Sequence, residues 1–306
     1  MSLKWHGIRG SKLSCTMFRA VLFVSLMCFA VDGFAQGGER GADGRRISER
    51  VAPFTIVGNV HYVGGTDMTV FLITTAEGHI LIDSTYERDV PRIQQSIESL
   101  GFNVRDIRFL LNSHAHADHI EAHGLMKELT GAQVVMSEVD AATLAEGGGM
   151  GADGRPRYRP VEADRIIRTG DTVTLGGTTL TAHVFPGHTR GATTWTTVVD
   201  DGVRPADFVF WGGLGGVRQP FVNNTAWPTI AEDYADTLRR AKALPCEFFT
   251  EGHADGFGFI GKMNRLRKGA RLNNPFYAPQ ECREGVEQQE LGFQAQLAKE
   301  RAEAGR

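Results

Sequence analysis

Cysteine is scarce, with four in 306 residues, and two of these, Cys15 and Cys28, fall in an N-terminal leader. The pair that remains, Cys246 and Cys282, cannot build a disulfide scaffold. In an oxidising compartment such a pair forms one bridge, closing a loop of about 36 residues and adding roughly 3–4 kcal/mol; two buried free thiols are the alternative. Long apolar runs are missing as well. Ala20–Val31 is a run of 12 residues, short of the roughly 20 that span a bilayer. Lys4, Arg9, Lys12 and Arg19 precede or open it, and Gly33-Phe34-Ala35 follows with a small-x-small pattern. Residues 1–35 therefore read as a secretory signal peptide, with the periplasm as the expected destination. The alternatives are a membrane anchor, and a lipid anchor on Cys28 to which Met27 is poorly suited. After signal removal no attachment to a membrane is expected.

An excess of positive charge is also absent. Of 33 basic and 36 acidic residues, the leader holds four and one, so the rest of the chain carries 29 against 35, a net charge of −6. No basic stripe remains to neutralise phosphates, and nucleic acid is excluded as a partner. No Gly-x-Ser-x-Gly elbow is present, so no serine nucleophile is expected.

What is there is a series of short β-branched runs alternating with helical spacings. Residues 36–50 are rich in Gly, Arg and Glu and read as a flexible lead-in. Strands are expected at 55–63, 69–75, 79–83, 107–112 and 133–136, with helices at 88–100, 119–130 and 138–145. A Gly-, Arg- and Pro-rich loop covers 147–159. Strands return at 171–184, 193–200, 208–211 and 246–250, with helices at 226–244, 257–270 and 278–303. Two successive β-then-α groups imply an α/β fold in which two packed sheets are covered by helices on both outer faces. No linker interrupts residues 51–306, which read as one domain.

The strongest feature is Asn112-Ser113-His114-Ala115-His116-Ala117-Asp118-His119. It follows an apolar strand and opens a helix. In an extended segment residues two apart share a side, so His114 and His116 can face one metal. Asp118 and His119, beyond the bend, can face a second, and imidazole with carboxylate suits zinc. His188, in Pro186-Gly-His-Thr189, and His253, in Glu251-Gly-His-Ala254, both lie in glycine-containing loops just past strands. His183 reads as a packed or surface strand residue, and His61 and His79 as edge or turn residues. His123 lies four residues after His119, but Glu121 stands where a His-Glu-x-x-His helix would not put its base. A surface position is favoured for His123 over one lining the cleft.

These motifs resemble the metallo-β-lactamase superfamily, whose fold is an αββα sandwich, and most closely its subclass B3. The resemblance runs through residues 52–303. It takes in Leu81-Ile-Asp83, Ser113–His119, Gly187-His-Thr189, Thr194-Trp195, Glu232-Asp-Tyr234, Ala243–Cys246, Gln296–Glu300 and the Cys246–Cys282 spacing. It implies two Zn2+ ions, the first held by His114, His116 and His188 and the second by Asp118, His119 and His253. Glyoxalase II-like relatives carry a bridging aspartate after the strand that ends here at Trp211, and subclass B1 enzymes a cysteine. Trp211-Gly-Gly-Leu-Gly-Gly216 offers neither.

By the same resemblance the activity is hydrolysis of the β-lactam amide bond. A zinc-bound hydroxide would attack the carbonyl while Asp118 orients it, with a small-molecule β-lactam as substrate and a monomer as the expected state. The departure is in the same loop, where subclass B3 enzymes carry serines that help hold the substrate carboxylate and this chain has Gly213 and Gly215. Thr189, Arg190, Arg218, Asn223 and Asn224 are the candidate substitutes. Hydrolysis of another ester, lactone or amide is the alternative activity, and a zinc-binding scaffold with negligible turnover the non-enzymatic one.

Overall fold

The computed structural model describes residue 2 and residues 47–150, 154–269 and 274–305. The expected signal peptide and most of the lead-in lie outside the described residues. Twelve strands and seven helices are found among the described residues. The first sheet follows chain order: β1 (Phe54–Val57), β2 (Val60–Tyr62), β3 (Phe71–Thr75), β4 (Gly78–Ile82), β5 (Ile107–Leu111), β6 (Gln133–Ser137) and β7 (Arg165–Ile167). Its first four strands pair antiparallel and its last four parallel. The second sheet runs β12 (Phe248–Glu251), β11 (Pro205–Trp211), β10 (Thr193–Asp200), β9 (Thr178–Val184) and β8 (Thr172–Leu175), antiparallel except for β11 with β12.

Strand periodicity shows why two layers form. Successive residues point to opposite faces of a strand, and Leu72 and Ile73, Leu110 and Leu111, and Val134 and Val135 divide between two cores. Leu72, Leu110 and Val134 pack outward on helices α1 (Val90–Ser99), α3 (His123–Thr130) and α4 (Glu138–Ala145). Ile73, Leu111 and Val135 pack inward with Trp195, Phe208 and Phe210 of the second sheet. Helices α5 (Ile230–Ala241), α6 (Phe259–Arg267) and α7 (Pro279–Ala304) add Tyr234, Leu238, Met263, Val286 and Phe293 to that core. This is the expected αββα sandwich. The Cys246–Cys282 disulfide ties the approach to β12 to the first turn of α7. No helix among the described residues is long and apolar enough to cross a membrane.

Several boundaries differ from the sequence expectation. The run 55–63 is a hairpin, because Gly58 takes φ 51° and its Cα packs too close to the Asp200 carbonyl for any side chain. The run 171–184 is also a hairpin, turned by Gly176 and Gly177 at φ 50° and 83°, the pair that a tight two-residue turn favours. The helix expected at 119–130 is two pieces, α2 (Ala117–Ile120) and α3. The His119 carbonyl accepts from the N–H groups of Ser84 and Thr85 instead of continuing the helix, and Ala122 N–H donates to the Thr85 carbonyl. Helix α5 begins at Ile230, past Pro228, with Trp227 N–H capped by Asn224 Oδ1. Strand β7 was not expected; it is three residues long and two are exposed. At the end of the expected lead-in, Ser48 Oγ accepts from the N–H groups of Asp67 and Met68.

Candidate metal centre

The apolar run of β5 ends at Leu111, and the chain then turns across the ends of both sheets. Asn112 carbonyl accepts from Trp195 Nε1 at 3.0 Å, and Ser113 carbonyl from Thr193 N–H at 2.8 Å. These two bonds lock the His114–His119 segment to β10. The loop after β9 brings His188 from the second sheet, and the turn after β12 brings His253.

The six residues form two triads, His114–His116–His188 and Asp118–His119–His253, with the ligand atoms of each within 4.8 Å of one another. His116 Nδ1 lies 3.2 Å from His188 Nε2, and His119 Nε2 lies 3.2 Å from His253 Nε2. Asp118 places Oδ1 4.0 Å from His119 Nε2 and Oδ2 3.7 Å from His253 Nε2. The His114 and His119 ring centroids, one from each triad, are 4.0 Å apart.

The outer hydrogen bonds decide which ring nitrogens carry protons. His188 Nδ1 faces the Gly215 carbonyl at 3.0 Å, so it is the donor and Nε2 holds a lone pair. His119 Nδ1 donates to Asp83 Oδ2 at 2.8 Å, and His253 Nδ1 to Asp67 Oδ1 at 3.3 Å. His114 Nδ1 is 3.2 Å from Ser113 Oγ, while its Nε2 is buried and has no hydrogen-bond partner. Lone pairs thus converge at 3.2 Å, an arrangement that repels unless a cation lies between them. Nitrogens sharing one tetrahedral zinc at about 2.0–2.1 Å sit about 3.3 Å apart. The donor set, spacing and orphaned nitrogen all fit a metal pair, and such outer partners fix the ring and raise ligand basicity.

Burial and neighbouring imidazoles hold His114 well below the ordinary histidine range and His188 at about 3, so both rings are neutral at neutral pH. Burial favours the neutral form of Asp118, but the imidazoles of His119, His253 and His116 outweigh it and hold the carboxyl at about 2. The imidazoles of His114, His116 and His188, all held below the ordinary histidine range, and the Asp118 carboxylate stand ready as ligands.

The outer layer was missed by the sequence reading. Asp83 accepts from Ser113 N–H at 2.7 Å, from Ser113 Oγ at 2.8 Å and from His119 Nδ1. It is buried and takes φ 62°, a left-handed conformation that costs a non-glycine residue of order 1–3 kcal/mol and clusters at functional sites. An acid ending the buried strand β4 was the available signal.

His123, expected at the surface, is fully buried, with Nδ1 2.7 Å from Ser84 Oγ. His61 and His79, expected at edges or turns, are buried within β2 and β4, their rings 5.2 and 5.1 Å from that of Phe102. Half-buried His183 hydrogen-bonds Thr196 Oγ1 across the sheet.

Of the proposed substrate contacts, Arg190 is committed elsewhere, donating to the Ala226 carbonyl and lying over the Trp227 ring. The Asn224 side chain is consumed by its own turn, bonding Gln219, Pro220 and Trp227. Asn223 is exposed at φ 57°. Thr189 Oγ1 is buried without a partner one residue from His188. Arg218 is exposed and near enough for its charge to act on His116.

Two apposed sheets that carry paired histidine-rich triads at their strand ends define a metal-dependent hydrolase. The chain belongs to the metallo-β-lactamase superfamily, whose family model matches residues 63–253. Among solved structures it is similar to the native FEZ-1 metallo-β-lactamase from Legionella gormanii, with 36% identity and a TM-score of 0.80 over 84% of this chain and 99% of that one. It is also similar to BJP-1, a subclass B3 metallo-β-lactamase of Bradyrhizobium japonicum, with 34% identity and a TM-score of 0.76 over 84% and 97%. Among curated proteins, human mitochondrial persulfide dioxygenase ETHE1 is 32% identical over 117 residues, 38% of this chain and 37% of that protein. Hydroxyacylglutathione hydrolase of Anaeromyxobacter dehalogenans is 33% identical over 113 residues, 36% of each. The chain matches little more than a third of the length of these two curated relatives.

Proposed function

We propose that this protein is a zinc β-lactamase that opens the β-lactam ring by hydrolysis. The observation that carries this reading is the loop after β11. Glyoxalase II-like hydrolases need a bridging carboxylate there, and residues 212–216, Gly-Gly-Leu-Gly-Gly, supply none. The six-residue ligand set without that bridge, and likeness to solved β-lactamases over 84% of this chain, support the narrower activity.

His114, His116 and His188 would hold one zinc, and Asp118, His119 and His253 the other. Bound zinc supplies Lewis acidity, polarising the lactam carbonyl and acidifying water. Asp118 accepts a hydrogen bond from the attacking water and aims it at the carbonyl carbon. The C–N bond breaks, and the proton of the water ends on the released nitrogen. Asp83, Ser113, Asp67 and the Gly215 carbonyl keep the rings turned inward. Under the same reading residues 1–35 are removed on export and the mature chain works in the periplasm as a monomer.

The test is hydrolysis of nitrocefin and a carbapenem by the zinc-loaded chain, before and after prolonged chelation with EDTA. Turnover should disappear with the metal and return with added zinc. No turnover by the loaded protein, or undiminished turnover by a verified metal-free one, overturns the reading.

A further inference from the structure

The loop that walls the His188 side of the site has almost no side chains. Gly212, Gly213, Gly215 and Gly216 surround Leu214, whose carbonyl accepts from Tyr234 Oη at 2.7 Å while the Gly215 carbonyl accepts from His188 Nδ1 at 3.0 Å. The backbone is pinned and offers no polar side chain to a ligand. Another element occupies the vacated space. A Cβ on Gly215 would lie 2.7 Å from both Nε2 and Oε1 of Gln289.

Gln289 stands on the inner stripe of α7. Cys282, Val286, Gln289 and Phe293 recur at the four- and three-residue spacing of one helix face, and the other three are buried in the core. A purely packing role calls for an apolar residue there. The inward polar residue further along, Glu300, accepts from Phe221 and Val222 N–H. The half-buried carboxamide of Gln289 makes no hydrogen bond among the described residues.

We propose that Gln289 is a substrate-positioning residue, its carboxamide donating across Gly215 to the carboxylate that a β-lactam presents beside the metal centre. The proposal rests on the β-lactamase reading for the identity of the substrate. It does not rest on that reading for the anion-binding role of Gln289.

Two measurements on the full chain separate the two claims. In the zinc-loaded protein, Gln289→Ala should raise KM for a carboxylate-bearing β-lactam about tenfold with kcat within about twofold, the size of one hydrogen bond to a charged group in a half-open site. Gln289→Leu, which keeps the stripe packed, should behave alike, and Gln289→Glu should be worse at low salt. In the cobalt-loaded protein, binding of 3-mercaptopropanoate and of neutral 3-mercaptopropan-1-ol is followed by the thiolate absorption band. Gln289→Ala and Gln289→Leu should weaken only the anionic probe, by about tenfold. Equal weakening of both probes, or weakening of neither, overturns the proposal. If the parent protein opens no β-lactam, the proposed function falls, and the probe pair still decides the role of Gln289.

Discussion

Replacement of Asp83 by Asn tests the outer layer of the site with the smallest change of shape. The carboxylate accepts three hydrogen bonds, from Ser113 N–H, Ser113 Oγ and His119 Nδ1, at 2.7–2.8 Å. Asparagine keeps one oxygen and turns the other acceptor into a donor. Whichever way the amide is flipped, one of its sides presents N–H to a group that now donates. If that group is His119, the imidazole moves its proton to Nε2, the atom that lies 3.2 Å from His253 Nε2 and 4.0 Å from Asp118 Oδ1. Its lone pair is then lost to the second metal. Loss of such an outer partner costs about 10–100-fold in metal affinity, or about 1.4–2.8 kcal/mol. Competition against a chromophoric chelator, read as two successive zinc affinities, should show this loss in one site only. The site of His114, His116 and His188 should hold zinc within about threefold of the parent, because His188 is oriented by the Gly215 carbonyl and not by Asp83. Two unchanged affinities would refute the assignment of Asp83 as the residue that sets the His119 tautomer.

Two further outcomes follow from the same contacts. Burial pushes Asp140 up to about 7, against the opposing hydrogen bond from Asn112 Nδ2 at 2.6 Å. The unfolded chain ionises this group above about pH 4 while the folded one stays protonated until about 7. The stability it contributes is therefore complete below about 4 and is lost as pH rises to 7, by about 4 kcal/mol. Asp140→Asn should remove that slope from denaturant midpoints measured between pH 4 and 8, and a retained slope counts against the shift. Replacing both Cys246 and Cys282 by Ser should cost about 4 kcal/mol, from a closed loop of 36 residues. Tm should fall by on the order of 10 °C with zinc stoichiometry unchanged; an unaltered Tm would mean the bridge adds nothing.

The layer architecture was legible because strand patterning is local. Runs such as Ile107–Leu111 show an apolar core strand on their own, and the alternation of helices between two groups of strands implies the two covered faces. The misplaced boundaries share a different cause. The break between α2 and α3 is made by Ser84 and Thr85, whose N–H groups take the His119 carbonyl from 35 and 34 residues away in the chain. Nothing in residues 119–130 announces that competition. The hairpin at Gly58 is likewise tightened by Asp200, on the other sheet.

The metal ligands divide in the same way. His114, His116, Asp118 and His119 are visible because four ligands crowd six positions after a buried strand. His188 and His253 needed the family resemblance, since a lone histidine past a strand carries no spacing of its own. The residues that orient the ligands left weaker traces still: Asp83 and Ser113 stand in quoted motifs, but their roles exist only once β4 and β5 pair and bring the carboxylate to 2.8 Å from His119 Nδ1. Gln289 is the extreme case, because it is separated from Gly215 by 74 positions of sequence. Its trace is a polar residue interrupting an apolar stripe of α7, and that is visible only after Cys282, Val286 and Phe293 are seen to share a buried face. A glycine-rich loop reads as an absence in one dimension. In three it is a space that a residue from another element can fill, and the chemistry of that residue decides what the site will hold.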